Sequence, residues 1–188
     1  MDGNRRKLGF TLVELLAVIV IIAILLSMAV PGVNRVINSA RGAQARTEVK
    51  SIETAVLAYY NEYGRFPHPA DDDVSYGELG ETPNMELMNV LRAVEGDGNP
   101  GHRRNARRIL FLEVSERSLT PPGETEPDGN YRDPWGNQYE ITIDADFNGH
   151  CENVPTYGTV ENRRVVVWSH GRDDVGGTST NWHIRSWD

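Results

Sequence analysis

The sequence holds one cysteine, Cys151, among 188 residues. An intramolecular disulfide is therefore excluded. A reactive thiol would need an activating partner, and His150 beside it is weak evidence of one, so Cys151 reads as a small buried or half-buried residue. Basic excess is missing too: the net charge is −8. Phosphate binding needs a basic face, so the balance argues against a nucleic-acid partner. The run Arg103, Arg104, Arg107, Arg108 is a local exception and reads as a solvated or ion-paired surface. Catalytic signatures are also lacking. The five histidines form no H-E-x-x-H pair, and there is no nucleophile elbow, phosphate loop or dinucleotide fingerprint. Nothing points to an enzyme.

Long apolar runs are scarce as well, with one exception. From Leu12 to Val30 only Glu14 and Ser27 are polar. As an α-helix this stretch spans roughly 28 Å, close to the hydrocarbon thickness of a bilayer. Arg5, Arg6 and Lys7 precede it, so the positive-inside rule keeps that end cytoplasmic and sends the rest across. The run is too long for an ordinary secretory signal, and no small-residue cleavage site follows it. Glu14 is out of place. A carboxylate in hydrocarbon costs about 2.5–3.5 kcal/mol, and the helix offers no cation at three- or four-residue spacing. It needs either a partner or a place at the interface.

Lys7-Leu8-Gly9-Phe10-Thr11-Leu12-Val13-Glu14 resembles the signal of type IV prepilins and type II secretion pseudopilins. The resemblance implies cleavage between Gly9 and Phe10 by a prepilin peptidase, then N-methylation of Phe10. It also implies that Glu14 neutralises the N-terminal amine of an adjacent subunit during assembly. Pro31 falls where the family carries a helix-bending proline.

Beyond Pro31 the apolar spacing continues through Val33, Val36, Ile37 and Ala40, then Val49, Ile52, Val56, Tyr59 and Tyr63. It predicts one helix from about Thr11 to Tyr63, amphipathic in its second half and packed on a head. Gly64 ends it, and Pro67 and Pro69 prevent its return. Residues 70–82 read as loop. Thr82-Pro83 reads as the start of a short helix to about Val94 that buries Leu87, Leu91 and Val94. Ile109–Val114 reads as a strand or buried extended segment. Strands are expected at Gln138–Asp144, where Tyr139, Ile141 and Ile143 alternate with polar residues, and at Arg164–Ser169. The fold class is α+β: a long helix packed on a small antiparallel sheet.

Asp133-Pro134-Trp135-Gly136-Asn137-Gln138-Tyr139 resembles a signature of the major pseudopilin family. Ser169-His170-Gly171-Arg172-Asp173, Gly176-Gly177, Ile184 and Trp187 resemble its C-terminal loop. That resemblance implies calcium at Asp173, with Asn181 and His183 standing where the family carries aspartates. Asn181 can still offer an oxygen, whereas histidine is a poor calcium ligand, and Asp174 could compensate. The alternative is a turn in which Asp173 and Asp174 accept backbone N–H groups. A second calcium candidate is Asp144-Ala145-Asp146-Phe147-Asn148-Gly149, the first half of an EF-hand loop with Glu152 at position nine. Pro155 stands where the closing glutamate should be. An Asx-rich hairpin turn with Gly149 at positive φ is the favoured reading there.

The implied organisation is a basic leader at 1–9, a transmembrane helix at 10–31, its amphipathic continuation at 32–64 and a head at 65–188. The implied function is a structural subunit of a periplasmic pseudopilus for type II secretion. Its partners would be further copies in a helical homopolymer, the prepilin peptidase, an inner-membrane assembly platform and minor pseudopilins. The chain would sit in the inner membrane with its head in the periplasm. Two alternatives stand beside this: a pilin or minor pilin of a surface fibre for adhesion, motility or DNA uptake, and a ligand-binding module on a permanent single-span anchor.

Overall fold

The structure, a computed structural model, describes residues 10–68, 72–172 and 180–188, with the backbone alone at 28–32. The chain divides after Ala40 into two compact units. One helix, α1 (Leu12–Tyr63), supplies the described part of the first unit and the opening of the second. It begins on a reciprocal cap between Thr11 and Glu14. It ends where Gly64, at φ 68°, donates its N–H to Tyr60 O at 2.8 Å, a left-handed exit that glycine adopts without strain.

In the first unit the apolar side chains from Leu12 to Leu26 are exposed. Val33, Val36 and Ile37 are exposed as well, which corrects the expectation that the core-facing stripe starts there. It starts at Ala45, because the compact unit that supplies partners begins at Arg41. From there Ala45, Val49, Ile52, Val56 and Tyr59 are fully buried at helical spacing. Each such large aliphatic contributes about 1.5–3 kcal/mol on burial.

The second unit is built on a four-stranded antiparallel sheet in the order β1-β2-β5-β6: β1 (Val74–Tyr76), β2 (Glu140–Ile143), β5 (Val165–Ser169) and β6 (Ile184–Arg185). A separate ribbon pairs β3 (His150–Val154) with β4 (Gly158–Glu161). The α+β architecture holds, as do the strands expected near 138–144 and 164–169. Strand β1 lies inside the stretch read as loop, because its three residues carry no alternation long enough to register. Both faces of β2 are buried, Glu140 and Thr142 included, so the apparent half-buried pattern misjudged the second face. Thr142 Oγ1 shares a hydrogen bond with Ser75 Oγ. Glu140 accepts the backbone N–H groups of Glu78 and Leu79 and lies 3.2 Å from His170 Nε2.

The short helix is α2 (Asn84–Leu91), with Pro83 at its N-cap and no side-chain cap, so Thr82 does not cap it. Leu87 and Leu91 are buried, whereas Val94 lies beyond the helix end and is exposed. Ile109–Val114 forms no strand: Phe111 and Leu112 both donate N–H to Leu91 O and run extended beside the helix end. Four buried asparagines hold the irregular region together. Asn84 bonds both N–H and C=O of Tyr131. Asn89 Nδ2 donates to Asp97 O. Asn99 donates to Val94 O and accepts from Arg104 N and Asn105 N. Asn105 donates to Val90 O and Ile109 O, and accepts from Ile109 N and Tyr63 Oη. These amides replace a β-ladder for backbone groups that would otherwise be buried unpaired.

Candidate functional sites

Among the described residues three constellations carry chemistry, and the first is the N-terminal end of α1. Glu14 Oε2 accepts Thr11 N–H at 2.9 Å and Thr11 Oγ1–H at 2.8 Å, while Glu14 N–H donates back to Thr11 Oγ1 at 3.2 Å. This is a capping box, and Thr-x-x-Glu before an apolar run was its legible sign. Glu14 therefore has a local partner, the residue that caps its own helix, and needs no cation for that contact. Phe10 and Glu14 are both exposed, with Phe10 at 78%. Gly9 lies outside the described residues. Pro31 lies within α1, its side chain undescribed. Among the described residues no helix is long and apolar enough to cross a membrane; the sequence run continues past Ser27 into 28–32.

The second constellation is the Asp133–Asn137 turn. Asp133 Oδ1 accepts the N–H groups of Trp135, Gly136 and Asn137. Its Oδ2 accepts the Ser169 hydroxyl at 2.6 Å, and Ser169 Oγ accepts Gly171 N–H. Asn137 Nδ2 donates to Gly171 O. Burial raises the Asp133 pKa, and these hydrogen bonds oppose the rise. The motif thus clamps the turn before β2 onto the end of β5. The Ser169 hydroxyl is spent on a carboxylate, while His170 faces Glu140 and packs at a tilt against the Trp168 ring.

The third constellation joins residues far apart in sequence. Asp73, Asp144 and Asp146 each place a carboxylate oxygen within 4.8 Å of the others. The β1–β2 register, Val74 opposite Ile143, makes Asp73 and Asp144 the next opposed pair. Asp73 Oδ1 accepts Ala145 N–H, and its Oδ2 accepts Glu152 N–H at 2.6 Å. Asp144 is fully buried: its Oδ2 accepts Gly149 N–H, and among the described residues no donor reaches its Oδ1. Burial, and then the neighbouring Asp146 carboxylate, raise the Asp144 pKa. Asp146 and Asn148 are exposed. Asp146 accepts Asn148 N–H, and Asn148 accepts His150 N–H and donates to Glu152 Oε1. The Asx turns and the positive φ of Gly149, 91°, match expectation. The hairpin does not, because this loop carries the chain from β2 to β3, which belong to different sheets. Asp73 was missed: its partners lie some seventy residues on, and no local spacing announces them. In the C-terminal loop Asp173 and Asp174 lie outside the described residues. Asn181 is exposed in a turn, and His183 Nδ1 lies 2.6 Å from Tyr157 Oη.

Comparison with known proteins bears first on the N-terminal constellation. Residues 4–30 match the family model of the prokaryotic N-terminal methylation motif. The competence protein ComGC of Halalkalibacterium halodurans is 34% identical over 88 residues, which is 46% of this chain and 86% of that protein. The chain belongs to the pilin-like and pseudopilin family. Similarity to the type II secretion system core protein G of Aeromonas hydrophila, 23% identical, extends over 97% of this pilin-like chain and 96% of that protein. The type IV major pilin protein PilA of Myxococcus xanthus is 33% identical over 69 residues, 37% of this chain and 31% of that pilin. No solved structure matches. The long helix with an antiparallel sheet is thus a pilin-like arrangement, and the motif at its start is the one the family model describes.

Proposed function

We propose that this chain is a non-enzymatic structural subunit of a periplasmic pseudopilus serving type II secretion. The carrying observation is the exposed apolar surface of Phe10 and of α1 from Leu12 to Leu26, set behind a basic leader and interrupted by Glu14. The second unit has its own closed core and needs no help from those residues. Leaving them in water forfeits about 1.5–3 kcal/mol per large aliphatic side chain. A bilayer before assembly and neighbouring α1 helices afterwards both remove that surface from water. In this reading residues 1–9 are a leader cut after Gly9, residues 10–31 the anchor, residues 32–64 the continuing helix and residues 65–188 the head on the periplasmic side. Phe10 becomes the methylated N-terminus, and Glu14 exchanges its Thr11 cap for the amine of an adjacent subunit. The peptidase, an inner-membrane platform and minor pseudopilins are the partners it implies.

Similarity over nearly the whole chain to a secretion core protein supports the pseudopilus over a surface fibre. The pilin match favours the fibre but spans only 31% of that protein. Intact-mass spectrometry of the chain from membranes is the test. The expected mass begins at Phe10 with one added methyl group, and Gly9→Val stays full length. A wild-type chain that keeps residues 1–9 would overturn the assignment. Deletion should abolish export of folded proteins and leave surface fibres and motility intact, whereas the opposite result favours the pilus.

A further inference from the structure

We propose that Asp73, Asp144 and Asp146 form a calcium site that ties the start of β1 to the loop leaving β2. The site is independent of the filament reading. Its foundation is the register: Asp73 and Asp144 are opposed across antiparallel neighbours, and Asp146 is folded back beside them by the turn that ends at Gly149. Like charges directly opposed on a sheet are destabilising, so three converging carboxylates call for a counter-charge or a shared proton. Among the described residues, no hydrogen bond or ion pair joins any of the three to a lysine or arginine. Arg163 is turned to Glu53, and Arg164 lies over the Tyr60 ring.

The second observation is Asp144 Oδ1: on a fully buried side chain whose Oδ2 accepts Gly149 N–H, this oxygen meets no donor among the described residues. Buried acceptors are nearly always satisfied, and a cation is the ligand that satisfies an acceptor among acceptors. The donor set selects its class. The three ligands are carboxylates, and Asn148 in the loop bonds both Asp146 and Glu152 of β3. Softer donors face elsewhere: the Cys151 thiol has the Thr142 and Arg163 carbonyls within reach, and His150 Nδ1 faces the Glu161 carboxylate. An all-oxygen set suits a hard cation. Oxygens within 4.8 Å of one another fit across a shell of ligands about 2.3–2.6 Å from calcium. The exposed side, at Asp146 and Asn148, leaves room for water to complete six to eight ligands.

The test is calcium titration calorimetry on the EDTA-stripped full chain in detergent micelles, with circular dichroism to verify folding. Wild type should bind calcium. Asp146→Asn, whose side chain is exposed and keeps an acceptor for Asn148 N–H, should weaken one binding event at least tenfold. Asp73→Asn should do the same. Asp173→Asn combined with Asp174→Asn should leave that event within threefold of wild type. Absence of calcium binding in wild type overturns the site in favour of a shared proton. Wild-type affinity in a folded Asp146→Asn chain overturns it as well.

Discussion

At the scale of single residues, the head depends on polar side chains that do the work of missing backbone ladders. Asn105 makes four hydrogen bonds at 2.7–3.0 Å and is fully buried. Its replacement by alanine strands the N–H and C=O of Ile109 and the Tyr63 hydroxyl proton, while the Val90 carbonyl keeps Ala93 N–H. Each unsatisfied buried group costs about 1–3 kcal/mol, and partial relaxation reduces the sum. Asn105→Ala should therefore destabilise the chain by about 3 kcal/mol, read as a lowered midpoint in urea. Asp128 acts through charge. Arg132 holds it with two hydrogen bonds at 2.6 and 2.7 Å, which brings its pKa from an ordinary 3.8 to about 2. A depressed carboxylate pKa means that the unfolded chain takes up the proton first. The stabilisation is thus present above 3.8 and is lost as pH falls through about 2. Asp128→Asn should flatten that acid limb in denaturation curves recorded across the same window. Cys151 gives no such handle, since burial and the nearby Asp73 and Asp144 carboxylates push its thiol up to about 12.

At the scale of elements, α1 is one helix with two environments. Its second half is fixed by packing: Val49, Ile52, Val56 and Tyr59 meet the sheet and α2 in one core. Its first half has no such partners among the described residues, and only the Thr11–Glu14 box organises its end. Glu14→Ala removes the carboxylate half of that box, keeps the residue-14 N–H on Thr11 Oγ1, and leaves the core untouched. The variant should keep wild-type circular dichroism and processing but yield few filaments in shear fractions. Normal filament yield would remove Glu14 from the assembly reading. β1 and β2 show the complementary case. Both are short, and each is stable only because neighbours hold it, which places Asp73 against Asp144 whether or not the pair is comfortable.

At the scale of the whole molecule, local signals were read correctly where a periodic pattern ran long enough. The extent of α1, the exit at Gly64, the strands around Tyr139–Ile143 and Val165–Ser169 and the pilin-like class were all legible. Apolar spacing over many residues, and a motif confined to one helix end, need no partner to be recognised. β1, the β3–β4 ribbon and the asparagine framework were not legible, because three- to five-residue strands and single polar side chains acquire meaning only from what lies opposite them. The acidic cluster divides along the same line. The sequence by itself determined Asp144-Ala145-Asp146-Phe147-Asn148-Gly149 as an Asx-rich turn, since those contacts span a few residues. Only the tertiary structure brought Asp73 to it and closed the far side of Asp144 to solvent. That follows from register: an antiparallel pairing seventy residues apart is decided by the collective burial of both strands, and no local pattern encodes it.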